Sequence, residues 1–232
     1  MWQTGFAFQT VNSTTRHSPN ENPGKMARSK SSKRWLAEHF DDPYVKRAQQ
    51  QGLRSRSAFK LQELQQKYQL IQPGMTVVDL GAAPGGWCQV AQPLVGPGGK
   101  VIALDILEMP PLPGVDFILG DFTEEEPLQR LEQALGGERA DLVMSDMAPN
   151  MSGMASVDQA RAMYLAELAL EFVRSHLKPG GNFVVKLFQG VDFDDFVRQV
   201  RSRFSKVQVI KPKASRPRSK EVYLLARGHQ VK

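Results

Sequence analysis

The stretch MTVVDLGAAPGGW, residues 75–87, decides the fold predicted for this chain. Residues 75–81 are an apolar run of strand length, and the glycines at 81, 85 and 86 then permit a tight turn and close approach to the backbone. Further strand-like runs follow, at residues 100–106, 115–121, 140–146, 182–188, 206–211 and 221–227. Helical patterns lie between them, at about 86–94, 124–135, 157–177 and 192–204.

This alternation predicts an α/β fold with a doubly wound, mostly parallel seven-stranded sheet, because nearly continuous apolar strands are typical of sheets that helices cover on both faces. The last two strands are joined by PKASRPRSK, residues 212–220, which is too short for a helical crossover. The last strand is therefore predicted to be antiparallel. We expect Ser156 or Asp158 to cap the 157–177 helix and the KPGG sequence at 178–181 to stop it.

The composition narrows the class of protein. The chain has 232 residues and a net charge of +6, which favours an anionic partner. Its single cysteine, Cys88, cannot form an internal disulfide, which fits a reducing compartment, so we expect a cytoplasmic protein. The four histidines show no metal-ligand spacing, so no metal is predicted. No apolar run approaches the roughly 20 residues that span a membrane.

The chain divides unevenly. Residues 1–33 are predicted to form an unstructured tail, because NSTTRHSPNENPG (12–24) is polar and turn-rich and KMARSKSSKR (25–34) is basic. We prefer Met26 as the natural start, with a transit peptide as the alternative. Residues 34–228 are predicted to form one domain, with a helical part at 34–70 and a sheet-containing core at 71–228, followed by a short tail at 229–232.

The glycine-rich loop and the strand ends predict a nucleoside cofactor. An NAD(P)-dependent oxidoreductase would need G-x-G-x-x-G, but this loop reads G-A-A-P-G-G, and Pro84 lacks the N–H that a phosphate site would use. Asp105 ends the second strand, where an acidic residue binds a ribose diol, and Asp121 ends the third, near an adenine edge. Carboxylates at the strand ends suit a cation, namely Asp79, Asp105, Asp121 and Asp146. S-adenosylmethionine, a nucleoside with a sulfonium and no phosphate, fits this pattern.

A lysine in the middle of an apolar strand indicates a second cluster of functional side chains. This lysine is Lys186, in NFVVKLFQG (182–190). An unpaired ammonium there is costly. Its head could reach water along an amphipathic stem. Alternatively it meets Asp146, at the end of the preceding strand, if the two strands are neighbours. Lys60 and Glu221 could join this cluster, although each taken alone is more typical of a solvated surface residue.

Two basic segments are candidates for an RNA-binding surface, although solvated loops are the simpler interpretation of each. They are VKRAQQQGLRSR at 45–56 and KPKASRPRSK at 211–220. The predicted RNA contacts are Lys46, Arg47, Arg54, Arg56, Lys211, Lys213, Arg216 and Arg218.

Several motifs, taken in order, resemble one family. VVDLGAAPGGWCQ, SDMAPNMSG, PGGNFVVKLFQG and SRPRSKEVYL are similar to the FtsJ/RlmE family of ribosomal RNA 2′-O-methyltransferases, and GLRSRSAFKL belongs to the same pattern. The resemblance covers about residues 33–228 and implies a Rossmann-like methyltransferase fold that uses S-adenosylmethionine. The family's Lys–Asp–Lys–Glu catalytic set falls on Lys60, Asp146, Lys186 and Glu221. The cofactor positions are Gly81, from the loop itself, and, from the resemblance, Gly85, Trp87, Asp105, Asp121 and Asp146.

The resemblance further implies methylation of a uridine 2′-hydroxyl in the A-loop of large-subunit rRNA, during maturation of the large ribosomal subunit. The partner would be this rRNA within the assembled or assembling subunit, and the protein would act as a monomer. Lys186 would accept the hydroxyl proton, helped by Lys60, with Asp146 orienting Lys186 and Glu221 supporting Lys60. The alternatives are 2′-O-methylation of tRNA or another RNA, and a non-catalytic RNA-binding module on the same fold.

Overall fold

The computed structural model describes residues 42–231, so the predicted tail at 1–33 and the preferred start at Met26 lie outside the described residues. The helices are α1 (Pro43–Gln50), α2 (Ala58–Tyr68), α3 (Gly86–Val95), α4 (Glu125–Leu135), α5 (Ala155–His176) and α6 (Phe193–Arg201). The strands are β1 (Thr76–Leu80), β2 (Lys100–Asp105), β3 (Val115–Leu119), β4 (Ala140–Ser145), β5 (Leu177–Phe188), β6 (Phe204–Ile210) and β7 (Glu221–His229).

These strands form one seven-stranded sheet in the order β3-β2-β1-β4-β5-β7-β6. Strands β1 to β5 pair in parallel, and β7 runs antiparallel to both β5 and β6. The predicted doubly wound, mostly parallel sheet with an antiparallel last strand is therefore confirmed. The order of strands reverses between β1 and β4. In such sheets the crevice at the carboxyl ends of those two strands is the usual ligand site.

Burial on both faces explains why the strand sequences are so apolar. One core cluster includes Val78 of β1 and Phe183 of β5, packed against α5 through Ala169 and Val173. The second cluster, which contains Val77, includes the α2 and α3 side chains. Because successive strand residues point to opposite faces, Val77 and Val78 belong to different clusters. No helix in the range 42–231 is long and apolar enough to cross a membrane.

The ends of several elements differ from the sequence-based expectation. Helix α5 begins at Ala155, so neither Ser156 nor Asp158 is its N-cap, a position held by Met154 without a side-chain bond. Asp158 instead accepts hydrogen bonds from the loop before the helix, from Ser152 N and Oγ at 2.7 Å each. The helix does end before the KPGG sequence, but residues 178–181 belong to β5, with a register shift against β4. Strand β7 continues to residue 229, past the predicted domain end.

Candidate active site

A pocket of about 420 Å³ opens at the carboxyl ends of β1, β2, β3 and β4. Its volume is in the range of ligand sites, roughly 300–1,000 Å³. Three carboxylates line it, those of Asp105, Asp121 and Asp146. Apolar side chains cover much of the remaining wall, namely Leu104, Ile106, Leu107, Phe122, Met147, Pro149 and Leu165. Three acidic groups against one cation, Arg161, beside apolar walls suit a cationic nucleoside better than a polyphosphate.

The loops that surround the pocket are held by two of these carboxylates. Asp105 Oδ2 accepts from Ala83 N at 2.8 Å, and its Oδ1 accepts from Leu107 N at 2.8 Å. Each oxygen has a second lone pair, so the carboxylate can still accept from a ribose diol. Asp121 Oδ1 accepts from both the backbone N and the Oγ1 of Thr123, at 2.9 and 2.8 Å. The carboxylates at the ends of β2 and β3 therefore have fixed orientations.

The three predicted cofactor residues of the first loop occupy different places. Gly81 lines the pocket, and a Cβ atom on it would lie 2.8 Å from the backbone of Met147, so only glycine allows this approach of the β1 and β4 loops. Gly85 precedes α3 with a φ of 99°. The Trp87 side chain is buried away from the pocket and donates from Nε1 to Ser57 O at 2.9 Å. Of the three, only Gly81 is among the residues that line the pocket.

The fourth aspartate of the predicted set, Asp79, is fully buried on β1 and does not belong to the pocket lining. Cys88 Sγ donates to its Oδ2 at 3.0 Å, and Oδ1 has no hydrogen-bond partner among the described residues. Burial above all, followed by the charges of Asp146 and Asp105, raises the pKa of Asp79 to about 7, against the hydrogen bond from Cys88. Burial and the adjacent Asp79 likewise raise the pKa of the Cys88 thiol well above its usual range.

A cluster of buried polar side chains adjoins the pocket at Asp146. Strands β4 and β5 are neighbours, which brings Lys186 to the end of β4. Lys186 Nζ lies 3.1 Å from Asp146 Oδ1 and donates to the Asp146 backbone oxygen at 2.6 Å. The lysine side chain is 8% exposed. Its head is thus paired inside the protein, and the snorkelling alternative does not describe it.

Tyr223, which the sequence pattern did not predict as a site residue, connects this pair to the second lysine, Lys60. Its hydroxyl donates to Asp146 Oδ1 at 2.6 Å and accepts from Lys60 Nζ at 3.1 Å. Tyr223 lies directly opposite Lys186 in the register of β5 and β7. The available signal was its position two residues after Glu221, because alternate residues of a strand share a face.

Glu221 completes the cluster from the start of β7. Its Oε1 lies 2.7 Å from Lys60 Nζ and accepts from Ser215 Oγ at 2.8 Å. The Lys60 and Glu221 side chains are 10% and 14% exposed. The structure therefore brings together all four residues of the predicted set. The two lysines are linked through Tyr223 and Asp146.

The charges of this cluster follow from its pKa shifts. Burial alone would raise the pKa of Asp146, but Lys186, Lys60 and the hydrogen bonds from Tyr223 and Lys186 together hold it below its usual value. Asp146 is therefore ionised at neutral pH. Burial, then the negative charges of Asp146 and Glu221, raise the pKa of Tyr223 well above its usual value, so its hydroxyl keeps the proton that it donates to Asp146.

The eight predicted RNA contacts fall into two groups. The first group is exposed, on α1 and on the loop between β6 and β7, and consists of Lys46, Arg47, Lys211, Lys213 and Arg218. The second group is half-buried and consists of Arg54, Arg56 and Arg216. Arg56 and Arg216 both form ion pairs with Asp42, at 3.0 and 3.4 Å. The Arg54 guanidinium contacts backbone carbonyl oxygens.

Comparison with known proteins shows which family the chain belongs to. A sequence profile of the FtsJ-like methyltransferases matches residues 53–229. Ribosomal RNA large subunit methyltransferase E of Xanthomonas euvesicatoria pv. vesicatoria (strain 85-10) is 60% identical over 205 residues, which cover 88% of this chain and 98% of that protein. The protein of the same name from Xanthomonas oryzae pv. oryzae (strain PXO99A) has the same identity and coverage.

Solved structures share the fold. A protein assigned as a ribosomal RNA methyltransferase from Plasmodium falciparum superposes with a TM-score of 0.70 at 27% identity, over 77% of this chain and 100% of that one. An rRNA-methylase structure from Clostridium thermocellum, 19% identical, superposes with a TM-score of 0.51 over 72% of this chain and 96% of that one. From the profile match and from these relatives, the chain belongs to the FtsJ-like methyltransferase family and is a methyltransferase with a Rossmann-like fold.

Proposed function

We propose that this protein transfers a methyl group from S-adenosylmethionine to a ribose 2′-hydroxyl of large-subunit rRNA, on a uridine of the A-loop, during maturation of the subunit. The observation that carries the proposal is the linked cluster of Lys60, Glu221, Tyr223, Asp146 and Lys186 beside an acidic, partly apolar pocket. The names of the relatives, which act on large-subunit rRNA, support the substrate. We further propose that it acts as a cytoplasmic monomer.

The pocket residues fit this cofactor. Asp105 would accept from the ribose diol, Asp121 would lie near the adenine edge, and Asp146 would face the positive charge. Gly81, with the backbone of Gly85 and Trp87 at the start of α3, would surround the rest. When bound, S-adenosylmethionine supplies a methyl group attached to a sulfonium. The group that leaves on methyl transfer is a neutral thioether, so its departure requires no acid.

The residues of the cluster then have two tasks, to align the ribose hydroxyl and to accept its proton. Alignment of reacting groups can contribute roughly 7–11 kcal/mol, and a general base typically adds about 10²–10⁴-fold. Nζ of Lys186 is the proposed proton acceptor, a role that only an unprotonated amine can fill. Asp146 fixes the position of Nζ through both its carboxylate and its backbone oxygen. Lys60, held by Glu221 and Tyr223, would help to hold the ribose hydroxyl.

The exposed cations provide the RNA surface in this proposal. Arg47 on α1 and Lys211, Lys213 and Arg218 on the β6–β7 loop are exposed. The loop leads directly into Glu221 at the start of β7. RNA phosphates bound at the end of this loop would therefore lie near the catalytic cluster. Binding through phosphates should weaken steeply as salt rises.

The direct test is transfer of labelled methyl from S-adenosylmethionine to purified large ribosomal subunits, naked rRNA and tRNA, followed by mapping of the labelled ribose. We expect label on one uridine of the large-subunit rRNA. Label confined to tRNA would replace the proposed substrate, and RNA binding without transfer would favour a non-catalytic module.

The matched variants are Lys186→Ala and Lys206→Ala. Lys186→Ala should bind cofactor normally and lose turnover, because the proton acceptor is gone. Lys206, exposed on the edge strand β6, should tolerate the same substitution without effect. Turnover by Lys186→Ala close to that of Lys206→Ala would contradict the assigned role.

A further inference from the structure

The segment that precedes α2, residues 52–57, lies against the cofactor loop. Arg54 N donates to Gln89 Oε1 at 2.9 Å, and Gln89 Nε2 donates back to Gly52 O at 2.9 Å. Trp87 Nε1 donates to Ser57 O at 2.9 Å. These bonds join positions 30 to 37 residues apart in the chain. Both partners on the loop side belong to α3, which begins at the glycine-rich turn.

The Arg54 side chain also donates hydrogen bonds to two loops, the one after β1 and the one after β2. Nη1 donates to Pro110 O at 2.6 Å and to Pro84 O at 3.3 Å, and Nη2 donates to Pro111 O at 2.8 Å. Pro84 belongs to the glycine-rich loop after β1, and the other two prolines belong to the loop after β2. Asp105, the predicted ribose ligand, also bonds to both loops.

The glycines of the loop make room for this segment. A Cβ atom on Gly85 would lie 2.9 Å from Arg54 Nη1, and one on Gly86 would lie 2.1 Å from Ser55 Oγ. The segment therefore packs against the glycine pair, and a Cβ atom at either position would displace the side chain of Arg54 or Ser55.

On these contacts we propose that Arg54 is a positioning residue for the cofactor loop and not an RNA contact. Its planar guanidinium joins the loops after β1 and β2 and holds them in the spacing that the bound methyl donor requires. The inference rests on the proposed function for the identity of that donor. A lysine would keep the charge, but its single ammonium on a flexible stem does not reproduce a planar fork that spans separate carbonyls.

The decisive variant is therefore Arg54→Lys, with Arg47→Gln as the matched control on the exposed face of α1. Calorimetry with S-adenosylhomocysteine, without RNA, should show roughly tenfold weaker binding for Arg54→Lys, the order expected when one charged hydrogen bond is lost. Its KM for S-adenosylmethionine should rise with little change in kcat. Its RNA affinity and salt dependence should match the wild type. Arg47→Gln should show the reverse, with weaker RNA binding and normal cofactor binding.

A second readout needs no ligand. Hydrogen exchange of the backbone amides in residues 82–89 and 105–112 should be faster in Arg54→Lys than in the wild type, while amides of β5 and β7 exchange as before. Gln89→Ala removes the bonds from α3 to Arg54 N and Gly52 O and so loosens the segment that carries Arg54. It should accelerate the same amides and weaken cofactor binding in the same direction, so the inference remains testable if Arg54→Lys fails to fold.

The outcomes separate the two proposals. Wild-type cofactor affinity and wild-type exchange in Arg54→Lys, or a loss of RNA binding alone, would overturn the positioning role. A wild-type protein that binds no S-adenosylhomocysteine would instead overturn the proposed function, and the exchange comparison would still decide whether Arg54 holds the loops.

Discussion

Tyr223→Phe removes one oxygen atom from the centre of the proposed catalytic cluster and leaves the ring, its packing and the strand unchanged. That oxygen donates to Asp146 at 2.6 Å and accepts from Lys60 at 3.1 Å. Lys60 retains Glu221 at 2.7 Å, and Asp146 retains Lys186 at 3.1 Å. The loss should therefore correspond to about one charged hydrogen bond and not two, which is roughly 1.5–3 kcal/mol of unfolding free energy.

The same free energy, expressed in the transition state, corresponds to roughly 10- to 100-fold in kcat, because about 1.4 kcal/mol is tenfold. The assays are urea unfolding and single-turnover methyl transfer with saturating cofactor. Tyr68→Phe is the matched control, since Tyr68 contacts Lys67 and Arg227 through its ring, which phenylalanine keeps. Tyr223→Phe with the stability and rate of the Tyr68 variant would refute the reasoning that the hydroxyl holds Asp146 in place.

Two further predictions concern the buried carboxyl and the RNA surface. Because the folded pKa of Asp79 is raised to about 7, the unfolded chain loses this proton first, so Asp79 costs stability increasingly as pH rises from about 4 to about 7. The difference in unfolding free energy between Asp79→Asn and the wild type should grow in favour of the variant as pH rises from about 4 to about 7, and should stay constant at higher pH. Urea unfolding at several pH values measures it. A difference that does not depend on pH would contradict the raised pKa. Lys213→Gln should weaken RNA binding for all sequences and reduce the slope of log affinity against log salt by about one. An unchanged slope in filter binding would remove Lys213 from the phosphate contacts.

The proposed catalytic cluster is better explained by a role in the reaction than by a contribution to stability. The side chains of its ion pairs, Lys60–Glu221 and Lys186–Asp146, are between 8% and 17% exposed, so their charges lose most of their hydration. The desolvation cost of such pairs can equal or exceed their attraction, and apolar replacements are often no less stable. What the arrangement does provide is a fixed position for two amines beside the pocket, which is the requirement of an alignment mechanism.

Several features of this protein could be predicted from its sequence because they depend on local pattern. Apolar strands alternating with helices, and a connection too short for a crossover, were sufficient for the sheet and its antiparallel last strand. Aspartates after β2, β3 and β4 had to lie near one another, because parallel strands end at the same edge. Lys186 was predictable as a site residue because an ammonium within an apolar strand needs a partner.

Other features were decided only by the tertiary structure, because they depend on strand register and on contacts between distant residues. Tyr223 meets Asp146 because β7 pairs with β5 in the register that places it opposite Lys186, a fact absent from either strand alone. Lys60 and Glu221 are 161 residues apart and pair because α2 packs near the start of β7. Arg54 and Arg47 look alike in a basic segment, yet one guanidinium donates to the carbonyls of two loops and the other is exposed on α1, because the direction of a long side chain is set by what packs around it.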